Sequence, residues 1–179
     1  MARPADLMFR TWRSRDVDAL VERANNRNVW LNLKDRFPHP YTRADAESWI
    51  GMNHLVLGPP VNFAIDVAGE AIGGVGVEPL EDVFHRTASI GYWVAEPFWG
   101  RGIATAAVEF ISEYALRTFP IDRLQASVFD WNPASARVLE KAGFTLEGRQ
   151  RRIVVKDGRV GDLLLYARLG GVAAVPGRG

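Results

Sequence analysis

The stretch from Ala88 to Leu116, ASIGYWVAEPFWGRGIATAAVEFISEYAL, constrains the fold of this 179-residue chain more than any other. It predicts a strand over Ala88 to Val94, where β-branched and aromatic residues gather, stopped by Glu96-Pro97 because proline cannot donate to a ladder. From Ile103 the apolar residues return at helical spacing (Ile103, Ala107, Phe110, Ile111, Tyr114), which predicts a long amphipathic helix. Between the two stands Gly100-Arg101-Gly102. A glycine turn at a helix start leaves several backbone N–H groups unpaired, with the positive end of the helix dipole behind them. That suits a phosphate or pyrophosphate, although a plain tight connection would carry the same glycines. A Walker-type nucleotide loop is excluded, since no Gly-Lys-Ser/Thr occurs. Gly73-Gly74-Val75-Gly76 lacks the third glycine of a dinucleotide fingerprint and reads as a bulge or a close backbone approach inside a strand.

The rest of the chain alternates the two periodicities. Leu7 to Trp12 predicts a strand, and Val17, Leu20, Val21 and Ala24 one face of a helix opening near Ser14. Asn28 to Tyr41 has neither period. Thr42-Arg43-Ala44-Asp45 is a capping box for a helix with Ala46, Trp49 and Ile50 inward. Val61 to Val67 and Ala71 to Val77 form a hairpin through Ala68-Gly69-Glu70, followed by a polar connection from Glu78 to Thr87. Phe119-Pro120 breaks the long helix ahead of a strand over Arg123 to Val128. Asn132 caps a short helix with Pro133 in its first turn and Gly143 after its end. Arg149 to Val155 and Val160 to Leu169 form a last hairpin. Such interleaving predicts an α/β domain, a mixed sheet flanked by helices, over residues 1–169, with a small flexible tail over 170–179.

Composition narrows the chemistry. Net charge is +1, so no strong field favours nucleic acid, a membrane or an acidic substrate. Without cysteine there is no disulfide, thiolate metal site or cysteine nucleophile, and the presence of only three histidines argues against a histidine-rich metal site. We expect no metal. No apolar run reaches membrane-spanning length and the opening MARPADLMFRTW has no signal-peptide core, so the expected compartment is the cytoplasm.

Several motifs together are more specific than any one of them. Ile90-Gly91-Tyr92-Trp93-Val94 precedes Phe98-Trp99-Gly100-Arg101-Gly102-Ile103-Ala104. Asn132-Pro133-Ala134-Ser135 leads to Glu140-Lys141-Ala142-Gly143-Phe144 and Glu147-Gly148, and an Asp157-Gly158 turn precedes Asp162 and Tyr166. In this order the chain, from about Leu7 to Leu169, resembles the GCN5-related N-acetyltransferases (GNAT), particularly the ribosomal-protein-acetyltransferase-like branch. The resemblance implies the acyl-CoA N-acyltransferase fold, whose sheet splits beside the central strand to admit the acyl-CoA arm. It implies acetyl-CoA as cosubstrate, paired along Tyr92, Trp93 and Val94, with the Val94 N–H as oxyanion donor. Trp99, Gly100, Arg101, Gly102, Ile103, Ala104 and Thr105 would cradle the pyrophosphate, and Asn132 and Ser135 would contact the arm. Asn132 also has a sufficient role as a helix cap, and Tyr92, Trp93 and Trp99 could be core aromatics.

Transfer of an acetyl group to an amine needs a neutral amine, donors at the developing oxyanion and a proton donor for the leaving thiolate. Many relatives place a tyrosine seven residues after the asparagine, but this chain has Leu139 there, which makes Ser135 the candidate acid. Relatives often place a glutamate just before the Ile-Gly-Tyr, where Ser89 stands. A hydroxyl can hold a water but is no base at neutral pH. Glu78, Glu81, Asp82 and His85, entering the central strand, are the remaining candidate bases, each also an ordinary loop residue. The acceptor pocket is expected along Trp30, Phe37, His39 and Tyr41, facing Arg151 and Ile153 to Val155. The acceptor would be a protein N-terminal α-amine or a small-molecule amine, and the chain a monomer or homodimer. The alternative is a catalytically silent acyl-CoA-binding sensor or scaffold.

Overall fold

The computed structural model describes residues 4–171, and its architecture is a seven-stranded mixed sheet with helices on both faces. In chain order the elements are β1 (Leu7–Arg10), α1 (Val17–Ala24), α2 (Arg27–Trp30), α3 (Arg43–His54), β2 (Asn62–Val67), β3 (Glu70–Pro79) and β4 (Thr87–Val94). These are followed by α4 (Ile103–Thr118), β5 (Arg123–Phe129), α5 (Pro133–Lys141), β6 (Thr145–Lys156) and β7 (Arg159–Leu169). The strand order is β1-β2-β3-β4-β5-β7-β6. Of the tail expected at 170–179, residues 172–179 lie outside the described residues, whereas the Gly170 N–H donates to the Asp122 carbonyl at 2.7 Å.

Period-two alternation decides which residues meet on each face. Phe63, Ile65, Val75, Val77, Ile90 and Val94 point to one side, where Ile103, Ala107, Val108 and Ile111 of α4 and Leu139 of α5 complete the larger core. On the other side Ala64 and Ala71 meet Trp12, Leu20, Ala24, Tyr41, Ala46 and Ile50 under α1 and α3. The capping box at α3 forms as read: the Thr42 N–H donates to Asp45 Oδ2 at 2.8 Å and Thr42 Oγ1 accepts from the Asp45 N–H at 3.3 Å. Among the described residues no helix is long and apolar enough to cross a membrane.

All neighbouring strands are antiparallel except β4 and β5, and this exception shapes the molecule. Their parallel pairing covers only Thr87–Ser89 against Arg123–Gln125. Beyond that point β4 stays on β3 as far as Val94 opposite Gly73, and β5 stays on β7 as far as Phe129 opposite Leu163. The sheet therefore opens into a wedge between two strands that each keep only one partner.

The glycine run Gly73-Gly74-Val75-Gly76 holds this region tight. A Cβ on Gly73 would sit 2.4 Å from the Trp93 carbonyl oxygen, one on Gly74 2.9 Å from Trp93 Nε1, and one on Gly76 2.2 Å from Asn62 Oδ1. The close approach is real, and the register slip nearby, between Ile65 and Asp66, leaves Ile72 as the extra residue. One boundary differs from the sequence reading. The strand expected to end at Val77 continues to Pro79, so Glu78 lies in a ladder opposite Ser89 and not in a polar loop. The reason is tertiary: β4 supplies partners for backbone groups whose own side chains carry no strand signal.

Candidate active site

The wedge is the entrance to a cavity of about 1450 Å³ that runs from the start of α4 to the surface between α3 and the loop after α2. On the β4 side its wall is backbone. The Ala95 N–H donates to the Ile72 carbonyl at 2.8 Å, which fixes the phase of the strand. Trp93 and Ala95 turn their backbone groups toward β3, and those of Tyr92 and Val94 face the gap that β5 has left. Within that gap the Val94 carbonyl accepts the Trp99 indole N–H at 2.6 Å. The Val94 N–H points into the cleft.

At the inner end, Gly100 and Gly102 both have φ of 74° and nothing within 4 Å of where a Cβ would stand. Gly102 is the N-cap of α4 and, having no side chain, supplies no capping oxygen to the first-turn amides of this 16-residue helix. Arg101 is exposed with its guanidinium 5.4 Å from the Phe98 ring centroid. Trp99 is 46% exposed. All of Tyr92, Trp93, Val94, Trp99, Gly100, Arg101, Gly102, Ile103, Ala104, Thr105, Asn132 and Ser135 line the one cavity. An extended arm ending in a diphosphate fits these features, because the free strand edge offers backbone pairing and the helix start offers N–H groups and positive potential.

Across the wedge, Asn132 caps α5 by accepting the Ser135 N–H at 3.1 Å, so its capping role is filled from within the chain. The Ser135 hydroxyl lies 2.7 Å from the Tyr92 hydroxyl. Burial pushes the Tyr92 phenol up to about 12, opposed by the hydrogen bond with Ser135. Leu139 is fully buried in the core.

The other end of the cavity opens on the other face of the sheet, where Gly76 pairs with Gly91. A Cβ on Gly91 would meet nothing within 4 Å, so the pair of glycines removes two side chains from the chamber. Its walls are aromatic: Phe37 lies 5.1 Å from Tyr41 and 5.5 Å from Trp93, and Trp12 and Trp49 line it too. Burial, with a smaller push from Asp45, takes the Tyr41 phenol to about 12. Ser89 and Glu78 are paired in register here, Ser89 Oγ accepting from Gln125 Nε2 at 3.1 Å. Glu78 is exposed, 3.9 Å from Arg36.

Two of the four expected acceptor residues are elsewhere. Trp30 and His39 do not line the cavity; they stack on each other at 5.5 Å, with Lys156 Nζ 3.5 Å from the Trp30 ring centroid. Lys156 is buried and donates to Asp35 Oδ1 at 2.6 Å, so this group pins the loop away from the cavity wall. Arg151 and Ile153 to Val155 are not cavity residues either. Strand β6 bulges there, with the register passing from Gln150 opposite Leu163 to Val154 opposite Gly161, and Arg152 at φ 56°. Glu81, Asp82 and His85 also lie off the wall; Glu81 precedes a short helical turn at Asp82–Phe84 and the His85 ring bonds the Asp82 carbonyl at 2.8 Å. The sequence reading missed Trp12, Trp49, Asn62 and Gly91 as cavity residues. Only Gly91, a glycine within a β-rich run, carried a signal that could have flagged it.

Residues 6–145 match the family model described as an acetyltransferase (GNAT) domain. The chain belongs to the GNAT family. Within it the chain is 30% identical over 170 residues to an uncharacterized N-acetyltransferase of Bacillus licheniformis, covering 91% of this chain and 92% of that one. It is 30% identical over 107 residues to the ribosomal-protein-serine acetyltransferase of Escherichia coli K12, covering 60% and 59%. Its fold superposes with a TM-score of 0.78 on a ribosomal L7/L12 α-N-protein acetyltransferase solved in complex with coenzyme A, at 25% identity over 93% of this chain and 95% of that one. These likenesses place the GNAT chain near the ribosomal-protein-acetyltransferase-like branch, although it spans only about half the length of several other curated relatives it matches.

Proposed function

We propose that this chain is an acetyl-CoA-dependent N-acetyltransferase that transfers its acetyl group directly to a primary amine within a ternary complex. The observation that supports this most is the edge of β4 beyond Ser89, which no strand pairs on the β5 side, running into the start of α4, which no side chain caps. Acetyl-CoA, when bound, supplies the activated acetyl group. The edge at Tyr92 and Val94 would pair with its arm, and Gly100 to Thr105 would hold the diphosphate through backbone N–H groups. The Val94 N–H, fixed by the β3–β4 ladder, is the donor for the carbonyl oxygen at the reacting carbon.

The acceptor enters from the aromatic chamber, so nitrogen and thioester meet at the wedge between Val94 and Ser135 and are aligned without a covalent enzyme step. Among the described residues no histidine lines the cavity, and its carboxylates are Asp45, Glu78 and Glu147. Asp45 caps α3 and Glu147 is bound to Arg123, its nearer oxygen contact at 2.5 Å. Glu78 is the carboxylate left to take the amine's proton, directly or through water held at Ser89. The acceptor is a protein N-terminal α-amine or a small-molecule amine with a body that tolerates aromatic walls.

Leu139 favours the second reading, an acyl-CoA-binding sensor without transfer, because the position where relatives carry a phenol lines the cavity with a side chain that has no proton to donate. Calorimetric titration with coenzyme A, followed by thiol release from acetyl-CoA across a panel of amines and N-terminal peptides, separates the two. Turnover above hydrolysis with any acceptor supports the transferase, binding without turnover across the panel supports the sensor, and no binding removes both.

A further inference from the structure

Tyr92 was expected as a surface for the cofactor or as a core aromatic, and its side chain leaves β4 and ends on α5. Its hydroxyl lies 2.7 Å from Ser135 Oγ and 3.2 Å from the Ser135 carbonyl oxygen. Ser135 is itself held by Asn132, whose Oδ1 accepts its N–H at 3.1 Å. A phenol and an alcohol in contact share two protons, and one hydroxyl must donate to the other. If Ser135 donates, its own proton is engaged by Tyr92, the Tyr92 proton has the Ser135 carbonyl within reach, and Ser135 has no proton to offer a ligand. If Tyr92 donates, the Ser135 proton is free to turn into the cavity that both residues line. The second arrangement is the favoured one, because a phenol is the stronger donor and an aliphatic alcohol the stronger acceptor. Burial keeps the phenol neutral, with its ionisation at about 12, so it remains a donor throughout the physiological range.

We propose that Tyr92 is a positioning residue whose hydroxyl donates to Ser135 Oγ and so aims the Ser135 proton at the sulfur of coenzyme A bound in the wedge. The proposal rests on the N-acetyltransferase reading and changes the role expected of Ser135. A thiol ionises near about 8.5 and the phenol far above it, so a proton would not leave this hydroxyl pair for the sulfur. The pair stabilises the thiolate by a charge-assisted hydrogen bond. In the transfer the C–N bond forms and the C–S bond breaks, sulfur departs as thiolate with the bonding pair, the proton lost by nitrogen passes to Glu78 or solvent, and solvent later protonates the free thiolate.

The test is the ionisation of the coenzyme A thiol in its complex with the protein, followed by the ultraviolet absorbance of the thiolate, for wild type, Tyr92→Phe, Ser135→Ala and the double variant. Arg101, Arg137 and Lys141 line the same cavity, and Tyr166, whose hydroxyl donates to Glu140 at 3.1 Å, lies nearby; all are identical in the four proteins. In wild type the bound thiol should ionise below its free value. Each single variant should raise that ionisation by about one unit, with about a tenfold loss in kcat and little change in KM for acetyl-CoA, and the double variant should lose no more than either single one. Ser135→Thr, which keeps a hydroxyl, should retain the lowered thiol ionisation. A merely structural tyrosine would shift the melting temperature or the affinity for coenzyme A and leave the bound thiol unchanged. An unchanged thiol ionisation in Tyr92→Phe, or losses that add in the double variant, would overturn the proposal while leaving the transferase reading intact. Failure of wild type to bind coenzyme A would remove that reading and the proposal together.

Discussion

From Tyr92 to Thr105 the cavity wall is backbone, set by a strand phase and a helix start. Between Val29 and Tyr41 it is the end of α2 and the loop after it, held by side chains that reach in from distant parts of the chain. Asn26 and Asn28 donate to Glu96 at 2.8 and 2.9 Å, the Trp131 indole donates to the Leu31 carbonyl at 3.3 Å, Lys156 donates to Asp35, and Arg27 pairs with Asp157. Chemistry explains the contrast. A diphosphate and an extended amide arm are recognised by N–H and C=O groups that every residue carries, so geometry suffices. An acceptor is recognised by its own shape, which needs particular side chains at particular distances.

The sharpest way to break this contrast is Gly102→Glu. The left-handed backbone at Gly102 strains any side chain, and the carboxylate would sit where the diphosphate is expected. Negative charge at a helix start favours the helix itself, so the fold should survive. Calorimetric affinity for coenzyme A should fall at least about a hundredfold, equivalent to ~2.7 kcal/mol. Gly102→Ala, with the same strain and no charge, should lose far less; equal losses in the two would mean that backbone conformation, and not an anion site, accounts for the effect.

The next largest effect tests how rigidly the backbone wall is held. Gly73→Ala would place a Cβ 2.4 Å from the Trp93 carbonyl oxygen and 3.1 Å from Val94 Cα, both backbone atoms of β4 that cannot swing aside. We expect a loss of about 2 kcal/mol in urea unfolding and weaker binding of coenzyme A. At Gly76 the first obstacle is the end of the Asn62 side chain, which can rotate away, so Gly76→Ala should cost less. The reverse ranking would show that the β3–β4 ladder is softer than its register implies.

The same division explains what the sequence made legible. The strand, glycine turn, helix start and Asn132 cap announce themselves through residues a few positions apart, whose φ requirements, missing donors or capping oxygens act locally. The wedge itself was available only through the family resemblance, because nothing in Ser89 or Gln125 says that parallel pairing ends there. Trp30 and His39 look like Phe37 and Tyr41 in a loop without period, and their separation into a pinned stack and a cavity wall depends on Lys156, far along the chain. The bulge at Arg151 to Ile153 is likewise written by Asp162, on the partner strand, which accepts the Arg152 N–H at 2.7 Å. Without that contact the strand would read as plain alternation.

A smaller effect would probe the pinned loop. Lys156→Met keeps the buried stem and removes the charge over Trp30. Asp35, its partner, is 73% exposed at the side chain and is left solvated, not orphaned. The expected cost is about 1 kcal/mol in thermal or urea unfolding, mostly from the cation–π contact. The kinetic signature matters more: KM for the amine should rise while KM for acetyl-CoA stays put. A rise in both would mean that the two ends of the cavity are not independently held.

The smallest effect concerns the hairpin of β6 and β7. The Arg152 N–H and the Arg149 guanidinium hold the Asp162 carboxylate below the usual carboxylate range. A carboxylate depressed in the folded state contributes stability above its unfolded value of about 3.9, and that contribution is lost as pH falls through the lower folded value. Asp162→Asn should therefore flatten the decline in unfolding free energy below about pH 4 and lower stability modestly at neutral pH. Identical acid slopes would show that the bulge holds without this charge. Amine KM supplies the second half of the test. Arg149 is turned to Asp162 and Asp130, and Arg151 and Arg152 are off the cavity wall, so KM should not move. A changed amine KM in Asp162→Asn would return this arginine cluster to the acceptor pocket and blur the line between a wall made of backbone and a wall made of side chains.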